Sequence, residues 1–502
     1  MCGLCRRVGG VAIVLALTLG SAYAQSSADQ GGHDMSAMAR ESSGTSWLPD
    51  SSPMYMIHRQ NGPWMLMAHE NAFLEFLHDS GRRGGHQTGS INWFMGMAER
   101  TAGPGQISLR GMVSLEPWTI RDCGYPDLFA SGEQCHGQPI HDRQHPHDLF
   151  MEISARYDAP IRGTTRWQVF GGPAAEPALG PVAYPHRVSA MFDPIAPITH
   201  HWLDSTHVSF GVITGAVYGK RWKVESSAFN GREPDENRKD FDFGALDSVS
   251  GRVWFLPTSS LAIQVSAGHL KEAEEEEGIE PRHDVNRATA SATYHRLSGP
   301  YVWASTVAWG RNSEADHSTN ALLAETAVIR SDRDSWFGRL EIGGKTAHDL
   351  DVATGVLRCI TCTNVEAFTL TKLQGGYTHY IDAGSFKPGV GLVVSAGFVP
   401  DPLRAPYGSR VNTGIGVYLT LRPAMMSSNA PAGGVGSTGG RTMVMVQTAF
   451  DPSKLACPAG FNPARAPSTT YEGKRYYFCS TDDRDRFLAD PKMSLSMMPP
   501  KQ

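Results

Sequence analysis

From about residue 63 to residue 422, apolar and polar side chains alternate in segments of about ten residues, separated by spacers that are alternately short and long. Along 258–268, Leu261, Ile263, Val265 and Ala267 share one face, and Ser260, Gln264 and Ser266 share the other. Trp222 and Val224 alternate with Lys223 and Glu225, and Trp336, Leu340 and Ile342 alternate with Arg339 and Glu341. A period of two is that of an extended strand whose faces meet different surroundings. Sixteen such segments can be counted, the one at 319–330 alternating poorly. The pattern predicts an all-β chain: a transmembrane antiparallel β-barrel over 61–422 with a water-filled lumen. A soluble sandwich would have to bury Arg110, Lys223, Arg252, Arg287 and Arg339, which is costly. In a barrel these side chains, with Glu225 and Glu341, line the pore and set its charge. The long spacer 172–205 is expected to fold inward as a constriction.

The ends of the chain read differently. Arg6-Arg7, an apolar stretch from Val8 to Leu19 and Ala22-Tyr23-Ala24 form a secretory signal over 1–24, with cleavage expected after Ala24. Residues 25–60 read as a flexible arm containing His33, Met35 and Met38, soft ligands that suit copper. Residues 423–441 are an Ala/Ser/Gly linker, and 442–502 form a small α+β module. The mean hydropathy of −0.28 is too polar for a helical membrane protein. The net charge of −5 gives no reason to expect a nucleic acid partner. Strand parity places both barrel ends, and so the module, on the periplasmic side of a Gram-negative outer membrane.

After the signal, six cysteines remain, and in an exported chain an even number first suggests disulfides. Cys123 and Cys135 bracket a long loop and are expected to pair; Cys359 and Cys362 read as a small loop disulfide. In the terminal module, Cys457-Pro458-Ala459-Gly460 is followed by a run from Tyr471 through Phe478-Cys479-Ser480, then Phe487 and Asp490-Pro491. This resembles the YHS domain, a heavy-metal-associated module. The resemblance implies metal binding at Cys457 and Cys479, with Asp483 standing where that pattern has a further cysteine. Two thiolates suit Cu(I), or zinc with carboxylate help. A structural Cys457–Cys479 disulfide is the alternative.

Histidines crowd two of the long loops: His136, His141, His145 and His147 in the first, His186, His200 and His201 in the next, with His207 following. Imidazole is the commonest transition-metal ligand, so His136, His141, His145, His147, His200 and His201 are candidate ligands for copper or zinc; a structural or pore-lining network is the alternative. The run from His141 to Phe150, together with 176–181 and 229–236, resembles a group of uncharacterised bacterial outer-membrane proteins, which implies the barrel and its location. No nucleophile elbow, zincin helix or phosphate loop is present, so no enzyme is expected. The expected function is an outer-membrane channel for ions or small polar solutes, associated with copper handling through a tethered periplasmic module. A plugged barrel that sequesters metal is the alternative. Expected partners are membrane lipid, metal ions or small solutes, and further copies of the chain.

Overall fold

The computed structural model describes residues 40–274, 282–314, 317–353, 357 and 366–426, and in the terminal module 448–449, 462, 464, 466–479, 484, 487 and 488. Among these, sixteen antiparallel strands close into a ring. They are β2 (Trp64–Asp79), β3 (His86–Ala102), β4 (Gly105–Val113), β7 (Phe150–Arg162), β8 (Thr165–Ala174), β9 (Val212–Tyr218), β10 (Trp222–Phe229) and β11 (Ser248–Thr258), continuing through β12 (Leu261–Glu274), β13 (His283–Ser298), β14 (Tyr301–Ser313), β15 (Ser318–Arg330), β16 (Asp334–Thr346), β17 (Ala367–Tyr380), β18 (Phe386–Phe398) and β19 (Val411–Pro423). β19 pairs back onto β2 from Leu421↔Ala72 to Gly414↔Asp79 and closes the wall. The remaining edge of β2, Trp64–Ala68, is taken by β1 (Ile57–Asn61), which continues the seam where β19 stops. No long open edge is left along β2.

Alternation sorts the wall as expected. Leu74, Val265, Val307 and Leu419 point outward and are about half exposed, an energetically poor arrangement in water and a suitable one in hydrocarbon. Trp167, Trp222, Tyr301, Trp303, Trp336 and Tyr377 are outward-facing aromatics close to the short turns, the girdle expected at a membrane interface. The seven charged residues predicted to face the lumen all point inward, but none of them lines open water. Arg110, Lys223, Glu225, Arg252, Arg287, Arg339 and Glu341 are all 5% exposed or less, because the chain itself fills the lumen.

Two segments make this plug. The first corrects the flexible-arm reading: from Arg40 onward the arm is packed inside the barrel, while residues 25–39 lie outside the described residues. Its backbone carbonyls satisfy wall cations. Ser42 O and Gly44 O accept from Arg110 at 2.8 and 2.9 Å, and Thr45 O accepts from Lys223. Trp47 is buried edge-on against Tyr218. Low sequence complexity concealed this, because Ser and Gly in the arm serve close backbone approach rather than solvation. The second segment is the long 175–211 loop, which folds inward as expected. Arg187 bridges Asp204 (2.6 Å) and Glu325 on β15 (2.7 Å), and Arg339 donates to Ile195 O at 2.8 Å. Phe192, Val188 and Met191 meet Phe73, Ile329, Tyr380 and Tyr418 in the largest apolar cluster.

The plug also explains the poor alternation at 319–330. Ala321, Leu323, Ala327 and Ile329 face inward on β15, yet they are apolar because Trp202, Leu203 and the Val188–Phe192 stretch cover them. Gly310 on β14 permits this approach, since a Cβ there would sit 2.4 Å from Trp202 O.

The terminal module shows a three-stranded sheet, β20 (Thr448–Ala449), β21 (Ser468–Tyr471) and β22 (Lys474–Phe478), with Tyr476, Phe478 and Phe487 packed together. Cys479 is disulfide-bonded, so its sulfur is not available as a thiolate ligand. Cys457 and Asp483 lie outside the described residues, as do Cys359 and Cys362.

Candidate metal centre in the closed lumen

Loop 114–149 crosses the long-loop end of the barrel. It carries a short helix (Glu116–Thr119) and a hairpin of β5 (Tyr125–Cys135) and β6 (Gln138–Gln144). The expected Cys123–Cys135 disulfide ties the base of this hairpin to its far end, Cα atoms 5.8 Å apart. The hairpin packs over the 175–211 loop, and the histidines of the two loops meet at their contact.

Of the six histidines predicted as ligands, the structure brings three together. One ring nitrogen each of His145, His200 and His201 lies within 4.8 Å of the others. The three side chains are almost fully buried. Each has its Nδ1 engaged. His200 Nδ1 lies 3.1 Å from Asp204 Oδ1, His201 Nδ1 lies 3.3 Å from Glu233 Oε1, and His145 Nδ1 lies 3.1 Å from Pro146 O. An acceptor behind Nδ1 fixes the tautomer that leaves Nε2 as a lone-pair donor, which is how metal-binding imidazoles are held. His201 Nε2 is buried with no hydrogen-bond partner among the described residues. Gly132, with φ of +109°, gives the His201 ring its place: a Cβ there would sit 2.3 Å from the ring.

Burial dominates the electrostatics. It lowers His200 to about 4 and His201 to about 3, the latter helped by Lys345 and Arg287. His145 is pushed well below its ordinary value by burial and by Arg238. Neutral imidazole is the metal-binding form, so the three are ready ligands at neutral pH. Asp204 is held low by Arg187 and His200 against its burial, so it stays anionic behind the ring it orients.

The other candidates fall elsewhere. His147 is near but fully used: Nδ1 lies 2.9 Å from Glu116 Oε2 and Nε2 lies 3.0 Å from the Tyr184 hydroxyl. It locks the two loops together and has no nitrogen left for a metal. His136 is exposed on the β5–β6 turn, and His141 pairs with Asp351 at 3.5 Å. His207 packs edge-on against His200 with centroids 5.1 Å apart, and its Nδ1 is spent on Asp204 O. The supporting carboxylates Asp204, Glu233 and Glu116 were not singled out from sequence. Asp204, at the i+4 position from His200, was the only one with a local spacing signal.

A closed sixteen-stranded antiparallel barrel with an apolar outer belt, short turns at one end and long loops at the other has the architecture of an outer-membrane porin, here with a filled lumen. The sequence matches no model of a known protein family and no curated protein. Among solved structures it is similar to outer-membrane expressed OmpT of Vibrio cholerae, at 8% identity over 73% of this chain and 100% of that one, with a TM-score of 0.40. It is likewise similar to Salmonella typhi OmpF in complex with daunomycin, at 10% identity over 72% and 100%, with a TM-score of 0.43. Acinetobacter baumannii OccAB2 matches at 8% identity over 71% and 98%, with a TM-score of 0.37.

Proposed function

We propose that this chain is an outer-membrane barrel of the channel type whose lumen is closed by its own chain and binds a transition-metal ion at His145, His200 and His201. The observation that carries the reading is three buried imidazoles with converging nitrogens, each backed by an acceptor on Nδ1. His201 Nε2 is buried without a hydrogen bond among the described residues, whereas His147, a structural histidine, spends both of its nitrogens. Three nitrogen donors and a nearby carboxylate suit Zn(II) or Cu(II). On this reading the long loops lie outside the cell, as the sequence's signal-like start and even strand count favour, and the centre faces the medium. Small polar solutes pass only when the plug shifts, because the wall charges that would conduct them are already paired with it. On this reading the terminal module is a periplasmic appendage of the barrel and is not needed for metal uptake at the histidine centre.

Equilibrium dialysis of the detergent-solubilised chain against Zn(II) or Cu(II) tests the proposal. The intact chain should take up one ion, a chain ending at residue 441 should keep it, and His200→Ala should lose it. Metal lost with the module but retained in His200→Ala would contradict the reading.

A further inference from the structure

A well-formed cavity among the described residues lies at the other end of the barrel, near the short turns. It has a volume of about 460 Å³ and sits between the packed arm and the inner faces of β2, β3, β7 and β9. The chain has 19 methionines, and six of them line this one space: Met54 and Met56 from the arm, Met67, Met95 and Met97 from the wall, and Met191 from the plugging loop. His69 and His186 complete the donor set.

Strand register makes the arrangement specific. Met67 on β2 stands opposite Met97 on β3, and His69 stands opposite Met95. Directly opposed side chains on one face have Cβ atoms about 4.5–5.5 Å apart, so two thioethers meet across one rung, and a thioether and an imidazole across the next. His69 packs edge-on against Trp93 at 4.6 Å, and its ring lies 5.8 Å from that of His186. His69 Nε2 is buried and has no hydrogen-bond partner among the described residues, whereas buried polar atoms are normally paired.

The cavity's charged lining is already neutralised. Arg156 bonds Glu41 and Glu99, and Arg166 pairs with Asp158 at 2.5 Å. What remains open is uncharged sulfur and imidazole. Methionine commonly fills irregular gaps in cores, but here six of them surround a space that they leave empty. Thioethers are poor ligands for hard or borderline ions and good ones for soft monovalent ions.

We propose that this cavity is a second metal site, selective for a soft monovalent cation of the Cu(I) class, held by Met67, Met95, Met97 and His69. It shares no ligand with the histidine centre and does not depend on it. The arm supplies Met54 and Met56, so loading the site and seating the plug are coupled.

The test uses the full-length chain with 13C-methyl-labelled methionine in detergent, titrated with Ag(I), a redox-inert ion of the same class. Methyl signals of Met67, Met95 and Met97, assigned from Met→Leu variants one at a time, should shift at the first equivalent; remote methyl signals should stay put. The Met67→Leu/Met97→Leu variant keeps side-chain volume. It should weaken Ag(I) binding at least tenfold while leaving Zn(II) uptake at the histidine centre unchanged. Unmoved cavity methyl signals in a folded sample, or undiminished Ag(I) affinity in the double variant, would overturn the proposal. If the double variant also lost Zn(II), it would be a folding defect, and the wild-type methyl shifts alone would then decide.

Discussion

His200 and His201 are neighbours in the chain, yet each ring leans on a carboxylate from a different place, Asp204 one turn on and Glu233 from the next loop. Outer partners of this kind typically set about 10–100-fold of metal affinity by orienting the ring and raising its basicity. Glu233→Gln should therefore weaken Zn(II) binding by about that factor, read by competition with a chromogenic chelator. His147→Ala should leave affinity nearly unchanged while loosening the loops, because both of its nitrogens serve structure. Sequence alone pointed to His147 and to His145, His200 and His201 equally. Crowding in the chain is visible in a sequence; which ring nitrogens are already occupied depends on Glu116 and Tyr184, which lie 31 and 37 positions away.

The 175–211 loop is held to the wall chiefly through Arg187, fully buried between Asp204 and Glu325. Removing the cation takes from Asp204 and Glu325 their closest ion-pair partner and leaves Glu325 only Arg339 at 3.6 Å, and breaking a buried pair this way costs about 3–5 kcal/mol. Arg187→Met should accordingly raise amide hydrogen exchange throughout 185–205 while strands away from the plug, such as β17 and β18, keep their protection. The strands themselves were legible, because inner and outer faces carry opposite chemistry along β10, β12 and β16. β15 was legible only weakly, and the reason is physical. Leu323 and Ile329 are apolar on the inner face because the plug dries it, so the alternation that marks a wet lumen is erased where the lumen is filled. The arm was misjudged for a related reason. Ser42, Gly44 and Thr45 contribute backbone carbonyls to Arg110 and Lys223, and backbone acceptors leave no trace in side-chain composition.

For the molecule as a whole, the outer belt requires hydrocarbon and the inner face requires the plug. Val265 is outward and half exposed near the middle of β12, so Val265→Arg should cost about 2–4 kcal/mol of refolding stability in lipid vesicles if the site is at midplane. Gln264→Ala, one residue earlier and inward, should instead disturb the hydrogen bonds to Thr289 and Ser291 and leave membrane insertion intact. The most direct measurement is single-channel recording in planar bilayers of the intact chain beside a chain lacking residues 40–56. The intact barrel should stay shut and the shortened one should open in discrete steps, because Arg110, Lys223 and Arg252 lose the carbonyl and hydroxyl groups that cover them. A large, steady current from the intact chain, unchanged by the deletion, would contradict a lumen closed by its own polypeptide.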